Sequence, residues 1–305
     1  MIAIVISPSA FDGSRIFLQL GNLTDILRQV SIVGIISLAM TFVILTAGID
    51  LSVGSTLALS TCIAAMILTR WHTGLSYGLE IAVAITAALV AGAAVGAVSG
   101  VVIAAFDVQP FVVTLAGMIG IRGLAKWYSN NANIDIGFGT DVASVFAEIF
   151  RTKTVVIGSY AILAILFGVL LSRTVFGRHV RAIGDNERAA RFAGLPIRRV
   201  KVIVYMLSGL LSAAGGVLYA AENHQGNPNS GIAYELDAIA AVVIGGTRLS
   251  GGRGSISGTV IGTLMIGILT NMLRLNNVDS NVEMMVKALI IILAVAVQKQ
   301  GRAPR

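Results

Sequence analysis

The sequence predicts an all-α fold, a polytopic bundle of transmembrane helices broken at glycine-rich stretches. Three observations carry this. Of 305 residues, 56% are hydrophobic and only 12% charged, with a mean hydropathy of +0.86, whereas soluble domains carry about 25% charge. Long apolar runs occur at 31–49, 51–69, 81–104, 154–172, 202–221 and 254–273, each near the ~20 residues that cross a bilayer. The 34 glycines suit close helix contacts in lipid, where small residues let backbones approach.

Taken in order, Met1–Ile6 is apolar and ends at Ser7 and Pro8, like the tail of a truncated first helix. The charge-poor stretch 31–69 is too long for one crossing and about right for two. Its middle reads VILTAGIDLSVGSTLAL (43–59), and Asp50 is its only charge. A carboxylate at the bilayer centre costs roughly 2.5–3.5 kcal/mol, so a break in the helix is expected there. Asp50, with Ser52 as a further acceptor, would cap the second helix, since short polar side chains satisfy the free N–H groups of a helix start. The alternative role for Asp50, Ser52 and Gly54 is a pathway or gate. Arg122, just past the apolar run 108–121, would either pair with Asp50 or extend to an interface.

Shorter apolar runs at 108–121, 238–247 and about 286–298 bring the expectation to about nine spans after the truncated one. A second glycine-rich break, IGGTRLSGGRGSISG (244–258), precedes the run 254–273. One break per half is the pattern of internally repeated transporters, although the two stretches share little beyond Gly, Ser and Leu.

Lys and Arg set orientation. Residues 173–201 hold eight Lys/Arg against two acids, which places them in the cytoplasm; residues 222–237 hold three acids and no Lys or Arg, which places them outside. The chain is then a single transmembrane domain over 1–305 with a large inner loop and an acidic outer one. Clustered basic residues in such a protein orient it and do not point to nucleic acid. Arg151 and Lys153 fall on the outer side, against the rule.

Several chemistries lack their residues. Cys62 is the single cysteine, the three histidines are far apart, and no GxxxxGK[ST] phosphate loop occurs. No metal, nucleotide or catalytic constellation is expected on this chain, so any ATP use belongs to a separate subunit. The charges in or near the spans (Asp50, Arg122, Glu235, Asp237, Glu283) are few for the proton relay of a secondary, ion-coupled carrier. In the inner loop, Asn186 to Ala190 followed by Gly194 and Pro196 reads as a short helix with a glycine stop.

The stretches GIDLSVGS (48–55), GRHVRAIGDNERAARFAGLPIRRVK (177–201) and YELDAIAAVVIGGTRLSGGRGSISGTVIGTL (234–264) together resemble the permease subunits of ribose-type, monosaccharide ABC importers, over about Phe11 to Gln298. The resemblance implies a multi-pass protein of the bacterial inner membrane that pairs with a second permease copy, usually as a homodimer. It implies a sugar (a ribose-like pentose, a hexose or a polyol) delivered by an extracytoplasmic binding protein. It also implies a cytoplasmic ATPase, often two fused nucleotide-binding domains, which holds the ATP and Mg. Glu187, Ala190 and Gly194 match the coupling helix of such permeases, and Asp185, Asn186, Arg188 and Arg191 complete the predicted contact with the ATPase. Glu222, Glu235 and Asp237 become candidates for docking the binding protein; plain helix capping and a solvated loop are the other readings. A branched-chain amino-acid-type permease is the nearest alternative within importers, and the wording of GIDLSVG and IGGTRLSGG points away from it.

Overall fold

The computed structural model describes residues 8, 15–70, 76–137 and 139–300. The apolar remnant Met1–Ile6 lies outside them. A short 3-10 turn, Ile16–Leu18, leads into α1 (Leu20–Leu45), followed by α2 (Val53–Arg70), α3 (Tyr77–Phe106) and α4 (Pro110–Tyr128). After β1 (Ile134–Asp135) come α5 (Val142–Phe150), α6 (Lys153–Arg173), α7 (Val175–Asp185), α8 (Glu187–Phe192) and α9 (Ile197–Asn223). The chain closes with β2 (Gln225–Gly226), α10 (Tyr234–Ile244), α11 (Ile256–Leu275) and α12 (Ser280–Gln300). The structure is all-α apart from the two-residue antiparallel pairing of β1 with β2.

Among the described residues, six helices are long and apolar enough to cross a membrane: α1, α2, α3, α6, α9 and α11. The three shorter predicted runs also form helices, as α4, α10 and α12, but α10 has only 11 residues, so the expected nine full spans are not established. The first span begins at Leu20 and not near Ser31. Its polar first turns are stabilised by partners that sequence spacing does not reveal: Asp25 meets Lys153 at 2.7 Å and Arg28 meets Glu222 at 2.7 Å. The same pairing accounts for Lys153, which lies on the side predicted for acids. Between the apolar runs 108–121 and 154–172 lies α5, whose first turn is capped by Asp141 accepting from Ser144 N–H at 2.9 Å.

The centre of the bundle is α1. Ile35, Ile36, Leu38, Met40, Phe42, Ile44 and Leu45 have no exposed surface, and Phe42 packs edge-on against Phe167 of α6 and stacks on Phe176 of α7. The next helix, α2, is equally enclosed but carries Ser55, Thr56, Ser60 and Thr61. Thr56 and Ser60 donate to the carbonyls of Ser52 and Thr56 four residues back, so these hydroxyls need no outside partner.

Around this pair, α3 packs antiparallel against α9. Ala84, Ala88, Gly92, Gly96 and Gly100 recur every four residues on the buried side of α3, the spacing that puts side chains on one face of a helix. A Cβ at Gly100 would touch Val202 Cα at 2.8 Å, one at Gly96 would overlap the Tyr205 carbonyl, and one at Gly92 would overlap Ala213 and the Gly209 carbonyl. The reverse face of α3 exposes Val83, Val90, Val98 and Val101, as a helix with a lipid-facing side does. Gly96→Val is expected to destabilise the fold by about 2 kcal/mol through overpacking of the seam. Gly120→Val, at an exposed site with nothing within 4 Å of the new Cβ, should leave thermal unfolding in detergent unchanged. Equal melting of the two variants would contradict this packing.

Candidate functional site

The break between α1 and α2 is held by backbone hydrogen bonds to four different segments. The end of α1 closes with Ala47 N–H on the Ile44 carbonyl at 2.9 Å and Gly48 N–H on the Val43 carbonyl at 3.0 Å, the paired bonds of a Schellman cap. Ala47 occupies the left-handed position, φ +58°, which glycine ordinarily fills. The Leu45 carbonyl accepts from Gly252 N–H at 3.0 Å, and the Ile49 carbonyl from Thr114 Oγ1 of α4 at 3.1 Å.

Asp50 is buried and anchors the far side of the break. Its Oδ1 accepts from Ser52 N–H at 2.9 Å and Ser52 Oγ at 2.6 Å, and its Oδ2 accepts from Ser208 Oγ of α9 at 2.7 Å. The carboxylate therefore shapes the turn just before α2 and ties that turn to α9. The flanking glycines serve close approach. A Cβ at Gly48 would overlap the Tyr205 hydroxyl, and one at Gly54 would overlap the Gly231 carbonyl and meet Glu235 Oε2 at 2.7 Å. The Tyr205 hydroxyl is buried and has no hydrogen-bond partner among the described residues.

Among the described residues Arg122 does not pair with Asp50. Its Nη1 donates to the Pro228 carbonyl at 2.8 Å and to the Ser230 carbonyl, and it interacts electrostatically with Glu235. It holds the turn 228–231 over the start of α2, because Pro228 and Ser230 offer carbonyls that no helix uses.

The three acids expected on an outer docking surface are already engaged. Glu222 binds Arg28, Asp237 binds Lys287 of α12 at 3.2 Å, and Glu235 faces Gly54 and Arg122. The N-cap of α10, Ala233, has no side-chain hydrogen bond, but the Glu235 carboxylate in the first turn accepts from backbone N–H groups at Ala233 and Glu235. Lys287 also meets Glu283 at 3.1 Å, and Glu283 meets Arg274 at 3.4 Å. This cluster borders a small cavity of about 100 Å³ lined by Tyr234, Asp237, Thr263, Thr270, Arg274 and Lys287.

At the opposite end, the basic segment forms two helices. The C-cap of α7, Asn186, is also the N-cap of α8, with its Oδ1 accepting from Ala189 N–H at 3.0 Å. The predicted glycine stop is present: Gly194 has φ +76°, Gly194 N–H reaches the Arg191 carbonyl at 3.1 Å, and Leu195 N–H reaches the Ala190 carbonyl at 3.1 Å. Ala190 is buried against the core, and Glu187 is held by Lys201 at 2.8 Å and by Arg191 at 3.4 Å. Arg188, Arg191 and Asp185 are exposed. Phe192 is 93% exposed, a large apolar side chain with almost no protein cover.

The roles of Ser208, Tyr205, Lys287 and Phe192 were not apparent in the sequence. Ser208 and Tyr205 lie in an apolar run with nothing to indicate a partner 158 residues away. Lys287 could have been noticed as a lone cation between Arg274 and Lys299.

A multi-pass helical bundle with two glycine-rich breaks and a compact basic helix at one end defines a membrane permease. The chain matches the family model described as the branched-chain amino acid transport system / permease component over residues 22–295. It is 43% identical to the ribose import permease protein RbsC of Bacillus subtilis, covering 99% of this chain and 90% of that one. It is 36% identical to the fructose import permease protein FrcC of Rhizobium meliloti (98% and 84%) and 34% identical to the L-arabinose ABC transporter permease protein AraH of Azospirillum brasilense (95% and 83%). No solved structure matches the chain. The chain belongs to the ribose-type ABC permease family, a group of multi-pass membrane proteins within that broader model.

Asp50→Asn is expected to unfold close to wild type, because an amide oxygen still accepts from Ser52 N–H and the amide can donate to Ser208 Oγ. Asp50→Leu leaves buried donors unpaired, at about 1–3 kcal/mol. Thermal unfolding of both purified variants checks this ordering.

Proposed function

We propose that this chain is the membrane-spanning subunit of an ATP-driven importer of a monosaccharide in the bacterial inner membrane. Relatives named for ribose, fructose and arabinose support a sugar cargo. The end bearing α7 and α8 then faces the cytoplasm, in line with its excess of Arg and Lys. The acidic end, with Glu222, Glu235 and Asp237, faces out.

The observation that carries the reading is α8. It is closed at both ends, fixed to the core through Ala190 and Lys201, and projects Arg188, Arg191 and Phe192 outward. A short rigid helix with one bare aromatic and flanking charges has the form of an interface anchor. Its partner in this proposal is a separate ATPase subunit, with one or two nucleotide-binding domains, that binds the ATP and Mg. Asp185, Asn186, Glu187, Arg188, Ala190, Arg191 and Gly194 belong to the coupling contact: Asn186, Ala190 and Gly194 shape it, and the charged residues set its register.

A second permease copy would cover part of α4, on which only Thr114 and Ala125 are buried while Phe111, Val112, Ile119 and Trp127 stand exposed. Asp50, Ser52, Gly54 and Arg122 hold the wall between α2, α4 and the 228–235 turn, and they act in the pathway by positioning backbone. Recognition of the sugar falls mainly to an extracytoplasmic binding protein. Because Glu222 and Asp237 are ion-paired, that protein would dock on the polar 222–237 turn as a whole.

Uptake of radiolabelled ribose by proteoliposomes holding the permease, its ATPase and the binding protein should require ATP. Uptake driven by a proton gradient without ATP would sink this reading. Phe192→Ala, at a site too exposed to affect folding, should weaken ATPase binding about tenfold, or roughly 1–2 kcal/mol. Titration of the detergent-solubilised permease with the ATPase measures it.

A further inference from the structure

The segment leading into α8 touches both glycine-rich breaks at one point. Gly184, in the last turn of α7, lies so close to the end of α1 that an added Cβ would overlap the Leu45 carbonyl oxygen and meet Gly252 N at 2.5 Å. Gly252 N–H is itself the donor to that Leu45 carbonyl, at 3.0 Å. A Cβ at Gly251 would meet the Gly184 carbonyl oxygen at 2.9 Å and Ala47 N at 3.0 Å, and one at Gly252 would overlap the Asp185 carboxylate. Gly251 and Gly252 are both left-handed, φ +86° and +76°, and both buried.

Three segments distant in sequence therefore meet backbone to backbone: the end of α1 at Leu45–Ala47, the loop between α10 and α11 at 251–252, and residues 184–185. Asn186, the N-cap of α8, follows immediately. Side-chain contacts can slide past one another by changing rotamer, but backbone atoms in contact, with a hydrogen bond across them, move together. A displacement of α8 reaches the Leu45 carbonyl and the 251–252 turn without passing through any flexible side chain.

We propose that Gly184, Gly251 and Gly252 are positioning residues for energy coupling, a backbone clasp that makes both breaks follow α8. The clasp links the contact with the ATPase to the Asp50 turn, five residues beyond Leu45, and to the loop that closes α10 against α11. It rests on the reading of α8 as the coupling helix and adds the route by which its motion enters the membrane. Gly184 is the central element, because even a methyl group there separates the other two.

The test uses the reconstituted importer with its ATPase and binding protein. Gly184→Ala should lower the sugar imported per ATP hydrolysed about tenfold, with ATPase binding to the permease unchanged. A wild-type ratio in Gly184→Ala would overturn the clasp. Hydrogen exchange on the unmodified complex is independent of how the variant folds. Addition of a non-hydrolysable ATP analogue should change amide protection at 45–48, 184–186 and 250–253 together. Changes confined to 184–192 would also overturn it. Failure of wild-type importer to use ATP at all would instead remove the underlying importer reading, so the two failures are separable.

Discussion

The fold depends on satisfying an interrupted backbone at membrane depth. Water cannot solvate a bare N–H or C=O inside a bilayer, so a break is stable only where protein supplies the partners. Between Leu45 and Val53 those partners come from four directions. The end of α1 bonds back on itself, Gly252 N–H takes the Leu45 carbonyl, Thr114 of α4 takes the Ile49 carbonyl, and Asp50 holds the Ser52 N–H. The carboxyl group of Asp50 is satisfied by two hydroxyls and a backbone amide, and one of those hydroxyls belongs to α9. The break therefore fixes where α4, α9 and the α10–α11 loop must lie.

Small residues make that arrangement sterically possible. Hydrophobic burial gives little net attraction between helices surrounded by apolar lipid, so close backbone contact and hydrogen bonds supply the specificity. Gly92, Gly96 and Gly100 let α3 lie on α9, and Gly209 opens the facing groove. Gly245 and Gly258 do the same between α10 and α11, where a Cβ on either would overlap the other's carbonyl.

The two ends of the molecule differ in how their charges are used. At the acidic end, Glu222, Asp25 and Asp237 pair with Arg28, Lys153 and Lys287, so these carboxylates join helices. At the basic end, Arg188 and Arg191 stay exposed beside Phe192 while Glu187 and Ala190 lock α8 to its own bundle. One end is stitched and the other is presented.

Much of this protein was legible in its residues because the signals are local. Apolar run length set the helices, the cap residues Asn186 and Gly194 set α8, and the motifs at 48–55, 177–201 and 234–264 pointed to the family. Helix ends were missed where ion pairs between distant segments extend them, as at Asp25 and Arg28, and α5 falls outside the predicted runs because nine residues are too few to register as a span. The candidate site was half visible. Asp50 declared itself as a lone charge, but its contact with Ser208, the carbonyl partners of Arg122 and the meeting of Gly184 with Gly252 join residues far apart in sequence. By itself the sequence determined composition, periodicity and caps, which depend on neighbours along the chain. Only the tertiary structure decided which glycine faces which carbonyl, because that contact exists only once separate helices have packed.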